Sequence, residues 1–329
     1  MIHWSMRYLT SVPTPKKISV IGLGTWQFGS SEWGYGDGYA EAGSTAIVRR
    51  ALELGVTLFD TAEVYGFGRS ERILGEALGD DASNAFVATK VFPVLPTAPV
   101  VEQRAVASAN RLGVHRLDLY QVHQPNPVVR DRTTMRGMAA LQKVGLVGEV
   151  GVSNYSLGRW QEAEAALGSR VLSNQVQYSL VDRRPEHDLL PWAEATGRIV
   201  IAFSPLGQGL LSGRYDADHL PTNGVRRFNP MFLPENLRRA TGLITSLREV
   251  ADAHDASPAQ IALAWLVHHP NVVAIPGASS VAQLESNAAA ADITLADDEY
   301  AALSAASDRL DLVTGIQTLG PLARKLAHR

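Results

Sequence analysis

Residues 86–123 read FVATKVFPVLPTAPVVEQRAVASANRLGVHRLDLYQVH. A short apolar run, Phe86–Thr89, passes through a proline-rich turn into Val100–Leu112, where apolar residues recur every three or four positions. Gly113 follows, at the place where a helix ends most easily in a left-handed residue. A second apolar run, Leu117–Val122, then begins. Two strands with a helix between them are too far apart for a hairpin, so the unit predicts a parallel crossover.

The same unit recurs in both directions. Ile18–Ile21, Thr57–Phe59, Val147–Val152, Val171–Val176, Ile199–Phe203 and Val272–Ile275 bring the count of short apolar runs to eight. Helical spacing appears in Ser44–Leu54, Ser70–Leu78, Thr133–Val144, Leu157–Leu167, Glu186–Thr196, Glu235–His254 and Ser257–His268. Eight strands that alternate with helices predict an α/β protein of the (β/α)8 TIM-barrel class, in which the sheet is buried on both faces. No composition shift, internal repeat or low-complexity segment divides the chain. The expectation is one domain over residues 1–329, with the barrel over about 18–291 and a C-terminal helix or tail over 292–329. Gly207–Pro234, rich in Gly, Pro, Asn and Arg, is a long loop after the seventh strand, and it is expected to lie over the active face.

Composition narrows the chemistry. Thirty basic and thirty-three acidic side chains leave a net charge of −3, without the basic field that nucleic acid or a membrane surface attracts. No cysteine is present, so disulfides, thiolate nucleophiles and cysteine-ligated metals are excluded. No metal site is expected. The start of the chain lacks the apolar core of a signal peptide, and no run of ~18 apolar residues occurs; the expectation is a cytoplasmic protein with no membrane or nucleic-acid partner. Nothing in the sequence sets an oligomeric state.

In a barrel the informative residues are polar ones at strand ends. Asp60 ends the second strand, Lys90 the third and His123 the fourth, and Tyr65 follows on the loop after the second. Each has an ordinary reading as a turn cap, a solvated lysine or a structural histidine. Together they make an acid, a base, an imidazole and a phenol on one rim. A nearby ammonium favours phenolate and is expected to lower the Tyr65 pKa, with Asp60 as counter-charge. His123 can donate to a carbonyl oxygen as negative charge develops there. A proton donor and an oxyanion donor without a nucleophile suit carbonyl reduction by an external hydride.

The ordered series FDTAEVYGFGRSE, VATK, YQVHQP, GVSN, NQVQYS, FSPLGQGLLSGRY and IPGASSVAQLESN resembles the motifs of the aldo-keto reductase family, over Gly22 to about Ala291. Its spacing is closest to the branch that includes potassium-channel beta subunits. The resemblance implies an NAD(P)H-dependent reductase of a small-molecule aldehyde or ketone, with a catalytic tetrad at Asp60, Tyr65, Lys90 and His123. It implies nicotinamide contacts from Ser153, Asn154 and Gln175, and ring stacking by Phe203. The turn Ser204, Pro205, Leu206 and Gly207 is implied along the pyrophosphate, with Arg214 near the phosphates and Arg226 or Arg227 as helpers.

Gly277, Ser279, Gln283 and Asn287 are implied at the adenosine end. That segment carries no Lys or Arg, and Ser286 stands where an acidic residue is frequent, so NADPH is expected while NADH stays open. Gly22-Leu23-Gly24 is not a dinucleotide fingerprint, because Gln27 stands in place of the third glycine; Gly24, Thr25 and Trp26 are instead implied beside nicotinamide and substrate. Trp33, Phe67, Phe92 and Tyr155 are further candidates for an apolar wall. Two other functions stay open at this point: a cofactor-sensing, weakly catalytic binding subunit, and a Schiff-base lyase in which Lys90 is the nucleophile.

Overall fold

Eight parallel strands pair in sequence order, β1 (Leu23–Gly24), β2 (Leu58–Asp60), β3 (Phe86–Val91), β4 (Leu117–Val122), β5 (Val147–Ser153), β6 (Val171–Gln177), β7 (Ile199–Phe203) and β8 (Val272–Ala274). They belong to a computed structural model that describes residues 5–30, 35–36, 41–222 and 225–313. The curl closes where Ile21 bridges Ala274 and Gly24 bridges Gly277. Gly22 N donates to Ala274 O at 2.8 Å and Gly24 N to Pro276 O at 3.1 Å. The result is the expected (β/α)8 architecture in a single domain.

Helices α1 (Glu41–Glu53), α2 (Arg69–Leu78), α3 (Ala98–Leu112), α4 (Asp131–Lys143) and α5 (Leu157–Leu167) follow the first five strands. Then come α6 (Leu189–Ala195), α7 (Pro234–Ala253), α8 (Pro258–Leu266), α9 (Val281–Ala289) and α10 (Asp297–Asp308). Their apolar faces pack on outward residues such as Phe59, Val87, Tyr120 and Val200. A second cluster fills the barrel, with Leu58, Phe86, Ala88, Leu119, Ile199 and Val273. Strand side chains alternate between faces. The inward direction of Leu58 is therefore repeated at Asp60, that of Phe86 and Ala88 at Lys90, and that of Leu119 at Gln121. This alternation carries the polar residues into the upper barrel.

The structure divides the expected first strand. Its second half joins the barrel wall, since Ile21 bridges Ala274 and Ala274 N donates to Val20 O at 2.9 Å, and it runs on into the two-residue β1. Ser19 bridges Tyr8 in antiparallel fashion, Leu9 N donates to Ile18 O at 2.9 Å, and Val12 and Ile18 join the barrel-filling cluster. A residue that fills the barrel and one that walls it are both apolar, so the run alone does not separate its two halves. The expected helix over 186–196 is divided into a 3-10 turn, Arg184–Glu186, and α6. The long loop after β7 carries 3-10 turns at Gly207–Ser212, Val225–Phe228 and Pro230–Phe232. The C-terminal helix is present as α10, held by Arg183 to Ser304 O and Asp308; the remainder of the expected tail, 314–329, lies outside the described residues.

Gly24 sits at the closing seam without room for a side chain, since a Cβ there would stand 2.8 Å from Ile275 O. Gly158, in α5, would meet nothing within 4 Å. Gly24→Ala should lower unfolding stability by about 1–3 kcal/mol through overpacking. Gly158→Ala should be neutral or stabilising by up to ~1 kcal/mol through helix propensity. Urea unfolding of the two variants beside the parent checks the pair.

Candidate active site

Lys90 is completely enclosed, and its ammonium has three acceptors. Nζ donates to Asp60 Oδ1 at 2.6 Å, to Thr61 O at 2.8 Å and to the Tyr65 hydroxyl at 3.2 Å. The other oxygen of Asp60 accepts from Gln175 Nε2 at 2.7 Å. Burial works against the lysine charge, but Asp60 and Tyr65 together outweigh it and hold the ammonium above the usual lysine value.

Tyr65 reaches this position through a tight turn after β2. Gly66, Phe67 and Gly68 all take left-handed backbone, and α2 starts immediately after them. The turn is pinned by Ser70, whose hydroxyl meets those of Thr25 at 2.8 Å and Thr61 at 3.0 Å. The Tyr65 pKa is raised, chiefly by burial, with Asp60 adding to the rise and Lys90 opposing it. The expected net lowering is therefore corrected: the cation acts in the expected direction, but desolvation is larger.

The His123 ring stands edge-on to Tyr65 with centroids 5.8 Å apart, and Phe92 packs edge-on against His123 at the same distance. Burial, then repulsion from Lys90, lowers its pKa to about 3, so the imidazole is neutral. Its Nδ1 is buried with no hydrogen-bond partner. An unpaired acceptor costs less than an unpaired N–H, which assigns the ring proton to Nε2.

A groove of about 600 Å³ begins at Trp26, Tyr65 and His123. It passes Ser153, Asn154, Gln175 and Phe203, then Ser204, Pro205 and Leu206, and ends at Gly277, Ser279 and Gln283. Gly24 and Asp60 also line it. Ser153 donates to Gln175 O at 2.8 Å and accepts from Asn154 Nδ2 at 3.0 Å, which fixes these polar groups at the ends of β5 and β6. Ser280 caps α9 beside the far end, and Gln283 Oε1 accepts from Ser279 N at 2.9 Å.

Other expected residues lie beside the groove rather than in its wall. Thr25 is buried and donates to Asp60 O at 2.9 Å, so it braces the loop. Asn287 is buried, and its Nδ2 holds Gly277 O at 3.2 Å. Gly207 makes the turn behind the groove, with φ of 53°. Arg214 is exposed, and its guanidinium lies over the Tyr215 ring at 5.8 Å. The groove cation is Arg226, whose Nε donates to Gln208 O at 2.7 Å.

Of the wall candidates, Tyr155 is buried and donates to Asp131 at 2.8 Å, away from the groove. Trp33 lies outside the described residues. Sequence reasoning missed Gln27, which lines the groove and ties the seam through Ala278 O at 2.9 Å, and Gln121, which approaches Asp60 at 3.5 Å. The signal for Gln121 was available: it lies two residues past Leu119, on the inward face. Among the described residues, no group of three or more His, Cys, Asp or Glu could hold a metal, and no helix is long and apolar enough to cross a membrane.

A long groove lined by amides, hydroxyls, aromatic rings and one guanidinium, ending at a helix N-terminus, fits an extended anionic cofactor. A sequence profile of the Aldo/keto reductase family matches residues 20–308. An uncharacterized oxidoreductase of Mycobacterium tuberculosis is 55% identical over 324 residues, covering 98% of this chain and 100% of that protein. Methylglyoxal reductase of Escherichia coli is 33% identical over 293 residues, covering 88% of this chain and 91% of that protein. The crystal structure of an aldo-keto reductase from Klebsiella pneumoniae in complex with NADPH superposes with a TM-score of 0.73, 28% identity, and coverage of 95% of this chain and 100% of that one. The chain is an oxidoreductase that belongs to the aldo/keto reductase family.

Proposed function

We propose that this protein is an NADPH-dependent carbonyl reductase acting on an aldehyde or ketone, with Tyr65 as the general acid. The observation that carries the proposal is the 3.2 Å hydrogen bond from the enclosed Lys90 ammonium to the Tyr65 hydroxyl. A bound nicotinamide cofactor would supply the hydride. Negative charge then develops on the substrate oxygen, and the Tyr65 O–H gives it a proton. The tyrosinate left behind is stabilised by Lys90, in a site where burial strengthens the attraction. Asp60 keeps Lys90 charged throughout. Neutral His123, with its proton on Nε2, orients the carbonyl oxygen as a hydrogen-bond donor without competing as an acid.

Ser153, Asn154 and Gln175 have the donors and acceptors to hold a carboxamide, and Phe203 offers a face for stacking. NADPH is favoured over NADH because the Klebsiella relative binds NADPH and because Ser279 and Arg226 supply a hydroxyl and a cation along the groove. The lyase reading fails on Lys90 itself. An amine with a raised pKa and three engaged N–H groups has no lone pair to attack a carbonyl. No observation favours a purely cofactor-sensing role.

Tyr65→Phe should keep NADPH binding, measured by fluorescence quenching, while aldehyde turnover falls ~10²–10⁴-fold. Undiminished turnover would remove Tyr65 from the mechanism. His123 gives a separate pH prediction. Its folded pKa of about 3 lies below the ordinary 6.5, so the unfolded chain binds the extra proton between these values. Its neutral form contributes stability above pH 6.5 that is lost as pH falls towards 3, at up to ~1.4 kcal/mol per pH unit. In urea unfolding, His123→Gln should lose less stability than the parent between pH 6.5 and about 4.

A further inference from the structure

Six residues other than glycine have positive φ among the described residues, and four of them, Asn154, Ser204, Gln208 and Asp255, are polar. The other two are Phe67, with φ of 54°, and Leu95, with φ of 47°. Bulky apolar side chains are outliers in this region, and such strain persists only where something else maintains it. Packing is not what maintains it here, because Phe67 is 96% exposed and Leu95 67%. Folding gains little from either side chain in its present place.

Both lie on the catalytic rim. Phe67 follows Tyr65 by two residues, and Leu95 is on the loop that leaves β3 after Lys90. Val94 is exposed beside Leu95, and Val128 is exposed on the next loop, after β4. These two loops are joined by Asn126, whose Nδ2 donates to Pro93 O at 2.7 Å and whose Oδ1 accepts from Val128 N at 2.7 Å. Trp26, 43% exposed, lies 6.3 Å from Tyr65 on the loop after β1. Four successive loops thus present exposed apolar side chains, and the segment 91–97, VFPVLPT, contains no charge. The cofactor groove leaves Tyr65 in the opposite direction, over the ends of β5 to β8. The apolar rim is left for the other reactant.

We propose that Phe67 and Leu95 are specificity-determining residues that seat the apolar remainder of the substrate, a carbonyl compound with a long alkyl chain or fused aromatic system. This rests on the reductase reading of the same site. Left-handed backbone sets the Phe67 side chain in solvent two residues beyond Tyr65, on the rim where the apolar remainder of a substrate held at Tyr65 would lie. A small carbonyl compound reaches Tyr65 without touching either residue.

The test compares decanal with methylglyoxal as substrates of the parent and of the Phe67→Asn, Leu95→Asn double variant. Asparagine accepts left-handed backbone, so the variant should melt at the same temperature or higher. Its kcat/KM for decanal should fall about tenfold, through KM, while that for methylglyoxal and the Kd for NADPH stay within about twofold. An equal fall for both aldehydes, or no fall for decanal, overturns the proposal. So does an unchanged ratio with a reduced mass by sedimentation, which would make the patch a contact between copies. Failure of the reductase reading looks different, because the parent would then oxidise neither NADPH nor NADH with either aldehyde, and the proposal would fall with it.

Discussion

The ion pair of Lys90 with Asp60 is the constraint around which the rest of this barrel is arranged. An ammonium with no solvent exposure is costly to desolvate, and only close, well-directed partners offset that cost. A carboxylate oxygen at 2.6 Å and the Tyr65 hydroxyl at 3.2 Å together outweigh it, and a backbone carbonyl at 2.8 Å takes a further N–H. The second carboxylate oxygen is occupied by Gln175, so the pair cannot rotate freely. The third N–H of the ammonium is then directed at Tyr65. The strands position the charge, the charge positions the phenol, and the Thr25, Thr61 and Ser70 hydroxyls fix the loop that carries the phenol.

This arrangement gives two neighbouring groups opposite protonation behaviour. Lys90 stays charged because its partners outweigh burial, whereas His123 stays neutral because burial and the nearby Lys90 act in the same direction. Tyr65 lies between these cases. Burial and Asp60 keep it protonated in the resting site, and Lys90 becomes most effective once the proton has left. An acid that is stable before reaction and has a stabilised conjugate base during it suits proton donation to an alkoxide.

Much of this was legible in the sequence because a barrel converts period-two alternation into position. Asp60, Lys90 and His123 were found as polar residues at the ends of consecutive apolar runs, and three- and four-residue spacing marked most of the helices. What failed had physical causes. Ile18–Ile21 is apolar throughout, although Ile18 fills the barrel and Ile21 joins its wall. Thr25 and Asn287 are polar residues beside the groove whose side chains satisfy backbone groups behind it, a distinction that depends on rotamer and not on residue type. Arg214 and Arg226 are both cations on one long loop, and only the path of its 3-10 turns decides which enters the groove. The net effect on Tyr65 needed burial, which no motif encodes.

The most direct measurement is of Lys90→Met, by NADPH titration and by turnover at saturating cofactor. If Lys90 acts through Tyr65, the NADPH Kd should stay within about threefold of the parent, showing that the groove is intact, while kcat falls by ~10² or more. A variant that loses NADPH affinity but keeps its kcat at saturating cofactor would contradict the account and make Lys90 a binding residue.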